Sequence, residues 1–170
     1  MTELSKTLIG DFIDALVDDP EHARRLLSGQ PELLNARWIL GGTVLHFLAV
    51  EAYDEAVRRL VEWGADVNLV NALGDPPLLD CVVLGNEPLV ELLLSHGANP
   101  HVVSKTMGPL LLMAVEKGQP GVVRRLLAAG ADARVRSELD EGVFDVLPTR
   151  PEKRDAMLAL FSELGIVQTR

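Results

Sequence analysis

Few side chains in this chain could do chemistry beyond its carboxylates: four histidines and a single cysteine. Cys81 follows Asp80 directly, and a nucleophilic thiol there would need a histidine to take its proton. None is adjacent in sequence, so Cys81 reads as a buried core thiol. His96 and His101 flank Gly97 and could share a metal ion. No nearby acid completes a ligand set, so they read as solvated turn residues, and no metal is expected. Gly41-Gly42 resembles a phosphate cradle only superficially, since it falls in a turn between units. The chain holds no Gly-x-x-x-x-Gly-Lys-Ser/Thr, His-Glu-x-x-His, Gly-x-Ser-x-Gly or Cys-x-x-Cys. No catalytic residue and no cofactor is expected, and the chain does not read as an enzyme.

Composition narrows the field further. At 170 residues, 48% apolar and 24% charged, the chain has the make-up of one compact domain or one short array. Sixteen Lys and Arg against 25 Asp and Glu give −9, which argues against a nucleic-acid binder or a basic membrane-surface protein. The stretch Met1 to Asp11 has no basic n-region, so no signal peptide is expected. No apolar run approaches the ~20 residues that span a bilayer. These features predict a cytoplasmic protein without membrane or nucleic-acid partners.

The elements that would position any site follow from a repeat. Gly64-Ala65-Asp66 recurs as Gly97-Ala98-Asn99 and Gly130-Ala131-Asp132, each step being 33 residues. Leu60, Leu93 and Leu126 keep that step, as do Val57, Val90 and Val123, and Leu45, Leu78 and Leu111. In the second of these units Pro77 to Leu84 reads as one helix and Pro88 to Ser95 as another, broken at Gly85-Asn86. A left-handed helix end is expected at Gly97. Neither helix can bury its apolar face alone, so neighbouring units must complete the core.

Thr43-Val44-Leu45-His46-Phe47-Leu48, with Gly-Ala-Asp at the unit ends, resembles the ankyrin repeat family, whose pattern carries Thr-Pro-Leu-His-x-Ala. The corresponding stretches Pro76 to Cys81 and Pro109 to Ala114 lack the Thr and His. The resemblance implies a small stand-alone ankyrin repeat protein: an all-α helical solenoid of about five stacked helix-turn-helix units with hairpin-like loops. As a single domain over 1–170, it would comprise a degenerate capping unit at 8–36, central repeats at 37–69, 70–102 and 103–135, and a C-terminal capping unit at 136–170. Asp19 is the expected cap before Pro20 in the first unit, and residues 139–147 and 153–164 are expected to form a last helical pair. His46 falls in the family's structural slot, implying a hydrogen bond that ties neighbouring loops.

In the family, partners meet the turn tips and the exposed side of the first helices, which line a concave face. Carried onto this sequence, those positions are Trp38, Ile39, Leu40, Val50, Glu51, Leu73, Asp75, Val83, Leu84, Lys105, Glu116 and Lys117. Several are apolar where solvent would favour polar residues, which marks an interaction surface. Trp38 is of the residue type most often found as a binding hot spot. Residues 1–102 carry 6 basic and 16 acidic side chains, so a partner with a basic patch is expected. The acids Asp11, Asp14, Asp18, Asp19 and Glu21 read either as the solvated face of a capping unit or as part of that acidic patch. The leading expectation is a monomeric protein-interaction module that inhibits or sequesters its partner by occupying it. Inhibitor, immunity-type protein and adaptor all remain open. The alternative is an enzyme or small-ligand-binding protein with a groove near Asp80 and Cys81.

Overall fold

A computed structural model describes residues 4–168. Four helical pairs and one final helix follow one another: α1 (Lys6–Asp18) with α2 (Pro20–Gly29), α3 (Val44–Val50) with α4 (Asp54–Glu62), α5 (Pro77–Leu84) with α6 (Glu87–Ser95), α7 (Leu110–Glu116) with α8 (Pro120–Ala128), and α9 (Pro151–Glu163). Among the described residues strand is confined to a two-residue pair, β1 (Val103–Ser104) against β2 (Gly108–Pro109), and an isolated bridge between Arg37 and Thr43. Among the described residues no helix is long and apolar enough to cross a membrane. The chain forms two compact units, one ending at Asp80 and the other starting at Cys81.

In the first unit α1 packs against α2, α3 and α4. Asp19 caps α2 by accepting the His22 backbone N–H at 3.0 Å, with Pro20 in the first turn where its missing N–H loses nothing. Phe12, Leu16, Leu33, Leu45, Leu48 and Leu60 form the core of this unit, each at most 1% exposed. In the second unit α8 packs on α6, α7 and α9, around Leu93, Leu126, Met157 and Phe161.

The 33-residue step has a backbone cause. After α4, α6 and α8, Gly64, Gly97 and Gly130 take φ of 96°, 85° and 100°, a left-handed region that admits glycine without a Cβ clash. That turn lets the N–H of Ala65, Ala98 and Ala131 donate to Leu60, Leu93 and Leu126 carbonyls at 3.1, 2.9 and 2.9 Å. Each bond closes a helix end and turns the chain toward the next unit. The break inside each of the last three pairs uses the same geometry at Ala52, Gly85 and Gly118, with φ of 56°, 71° and 65°. Ala52 does so with a side chain present, a strained choice for a non-glycine residue.

The expected last pair is corrected. Only its second member forms, as α9; residues 139–147 make turns instead of a helix. The Ser137 hydroxyl oxygen accepts the N–H groups of Leu139 and Glu141, both at 3.2 Å, and the Asp145 carboxylate accepts that of Gly142 at 2.8 Å. These side-chain acceptors satisfy the backbone in place of a helical ladder.

Candidate partner-binding surface

The exposed tip before α3 is built by short-range bonds. Trp38 N–H donates to the Gly42 carbonyl at 2.7 Å, and Gly42 N–H to the Ile39 carbonyl at 3.0 Å. The turn forces Leu40 to φ 53° and leaves it 88% exposed, beside Ile39 at 57%. An apolar side chain held in a strained backbone and pushed into water does nothing for the core.

The next tip, residues 71–75, is organised by Asn71. Its side-chain oxygen accepts the N–H groups of Leu73 at 2.8 Å and Asp75 at 3.1 Å, presenting Leu73 at 59% exposure. Three bonds join the two tips. The Arg37 guanidinium donates to the Val70 carbonyl, Ala72 N–H donates to the Leu40 carbonyl at 3.3 Å, and His46 Nε2 meets the Asp75 carbonyl at 3.0 Å. Thr43 N–H donates to His46 Nδ1 at 3.0 Å, so the ring proton lies on Nε2 and is donated to Asp75. Burial pulls the His46 pKa below its ordinary value, which keeps the ring in the neutral form these two bonds require. The loop-tying role expected of His46 is therefore present.

Between the first tip and α3 lies an open cavity of ≈ 210 Å³, where Ile39, Leu40, Val50 and Glu51 meet Phe47 and Asp80. Four of the expected site residues thus share one hollow. Asp80 is pushed up to about 6, first by burial and then by the negative charge of Asp75. Phe47 was missed because its place within α3 reads as a helix-core position; its half-burial is visible only in three dimensions.

Two expectations for the first unit need correction. Asp75 is not an exposed flank but 3% exposed, and its Oδ1 has no hydrogen-bond partner among the described residues. Its carbonyl is held by buried His46, and the buried Pro76 and Pro77 that follow carry the chain straight into α5. Trp38 does not join Ile39 and Leu40 around their hollow. It borders a separate cavity of ≈ 190 Å³ that shares Phe47 alone with the first.

The second unit holds the remaining expected positions. Leu84, Lys105 and Glu116 are exposed, while Val83 and Lys117 are half-buried. Ser104 builds the Lys105 tip: its hydroxyl oxygen, in a buried residue, accepts the N–H groups of Thr106 and Met107, both at 3.3 Å. The Lys117 carbonyl accepts from Lys153 Nζ at 2.7 Å.

The arrangement offers little to a nucleophilic mechanism. Cys81 is fully buried and does not line the Asp80 cavity, and both His46 nitrogens are already engaged. Among the described residues no three His, Cys, Asp or Glu side chains gather as a metal set.

Comparison with known proteins agrees with this geometry. A serine/threonine-protein kinase, VIK of Arabidopsis thaliana, is 35% identical over 75 residues, covering 44% of this chain. The chain spans only 17% of that kinase's length. A family model described as ankyrin repeats (3 copies) matches residues 12–104, more than half of the chain. Ankyrin repeats are generally protein–protein interaction modules without catalytic function. The matched span contains the His46 tie, two of the three Gly-Ala helix ends and both joined tips, and the chain belongs to the ankyrin repeat family.

Proposed function

We propose that this chain binds a partner protein through its turn tips and the adjoining ends of the first helices, and acts by occupying that partner's surface. The observation that carries the reading is the pair Ile39 and Leu40, held exposed by a strained tip above a hollow edged with Glu51 and Asp80. Leu73 extends the apolar edge within the first unit, and Val83, Leu84, Lys105, Glu116 and Lys117 are the matching positions in the second. Residues 1–80 carry 14 acidic and 6 basic side chains, so the partner offers a basic surface, and opposite charge speeds encounter. Inhibition or sequestration by a cytoplasmic monomer is the mode this reading favours. A photo-crosslinking residue placed at Leu40 in cells of the source organism tests it, with the exposed Arg58 of α4 as control. The expected result is one protein captured from position 40, lost on Leu73→Asp and absent from position 58. Capture from position 58 with none from 40 would put the working surface on the outer helices.

A further inference from the structure

The second cavity of the first unit has a composition that its place in the fold does not call for. Trp38, Phe47 and Tyr53 all border it, three of the seven aromatic residues in the sequence. Asp14 and Asp18, one turn apart on α1, supply its carboxylates, and no Lys, Arg or His lines it. Both acids are exposed, and among the described residues neither has an ion-pair partner. The other tryptophan is furnished differently. The Arg24 guanidinium lies 4.8 Å from the centre of the Trp63 ring, so that aromatic face is filled from within the chain. Trp38 has carboxylates beside it and no cation.

We propose that this cavity receives an arginine side chain of the partner protein. Aromatic faces attract cations through the negative potential above the ring, and adjacent carboxylates add acceptors for N–H donors. Guanidinium is flat enough to stack on an indole and carries five donors for two carboxylates, a combination that lysine ammonium lacks. A quaternary ammonium would stack but leave both carboxylates without a donor. At ≈ 190 Å³ the space suits one side chain better than a drug-sized ligand, whose pockets begin near ~300 Å³. The excess of acid in residues 1–80 favours the same cation at longer range. The inference rests on the partner-binding reading only for the source of the arginine.

The test uses the full chain and no partner, so its failure is separate from failure of the crosslinking experiment. The indole N–H signals of Trp38 and Trp63 are followed by NMR during titration at constant ionic strength with blocked arginine (Nα-acetyl-arginine methylamide). Blocked citrulline, blocked lysine and tetramethylammonium are the comparison probes. The Trp38 signal should move and saturate on the order of millimolar arginine, as expected for a single side-chain anchor, while Trp63 stays still. Citrulline, neutral and nearly the same shape, should bind about ten-fold more weakly. The Asp14→Asn/Asp18→Asn double variant, altered only at exposed positions, should lose the response, as should Tyr53→Leu. Equal binding of citrulline, tighter binding of lysine or tetramethylammonium, parallel movement of Trp63, or an unchanged response in the well-folded double variant would overturn the assignment.

Discussion

Replacing Asp80 by asparagine should stabilise the protein at neutral pH and change little in acid. Burial and the nearby Asp75 raise the folded pKa of Asp80 from 3.8 to about 6. A raised carboxyl binds its proton more tightly folded than unfolded, so it leaves stability whole below 3.8 and removes it as pH climbs through about 6. The gap between those values, at ~1.36 kcal/mol per pH unit, caps the loss at about 3 kcal/mol. Asp80 is only half-buried, and solvent screening brings the expected gain from Asp80→Asn at pH 7 down to about 1–2 kcal/mol. Urea unfolding of both proteins from pH 3.5 to pH 7.5 would measure it. The His46 ring, with a lowered pKa, weakens the fold as pH falls below 6.5. It does so in both proteins, and Asp80 is not among the groups that shift it, so the difference between them reports chiefly on Asp80. A difference that is flat across pH, or that favours wild type at pH 7, would refute the account of Asp80 as a carboxylate held against its charge.

Leu93→Ala, at a fully buried repeat position, should lower unfolding free energy by about 2–5 kcal/mol, and a loss below about 1 kcal/mol would contradict its place in the core. Ala52→Gly should raise stability by about 0.5–1 kcal/mol in thermal or urea unfolding, because it relieves the side-chain clash at φ 56° at some cost in unfolded-chain entropy. Leu73→Asp should leave stability within about 0.5 kcal/mol, since the side chain is exposed, yet weaken the partner complex by about 2 kcal/mol in calorimetry. Arg58→Glu, on an exposed part of α4, should change that affinity little.

Most of the core was legible because repeat units bury their apolar faces against near neighbours, so spacing alone identifies inward positions. Leu60, Leu93 and Leu126 are each fully buried, as are Val57, Val90 and Val123. The caps were legible for the same reason, being local bonds between residues a few places apart. The segment 139–147 was misread because its apolar content suits a helix while Ser137 and Asp145 offer its backbone other partners. The surface was less legible, since its side chains are aimed by contacts distant in sequence. Asp75 sinks into the protein through a bond to His46, 29 residues earlier, and Trp38 meets Asp14 and Asp18 on a helix whose acids read equally well as solvated charge.

The bonds between the first two tips bear on how recognition would work. Arg37 to Val70, Ala72 to Leu40 and His46 to Asp75 fasten two loops that would otherwise sample many shapes. Loops fixed before an encounter lose little freedom on association, so more of each contact's energy survives as affinity. Such an edge also adapts poorly to a mismatched surface, which makes it selective for shape and not a general adhesive. Variants that loosen the ties should dissociate faster even with every exposed tip side chain unchanged, so the lifetime of the complex would report on the buried histidine that fastens the tips.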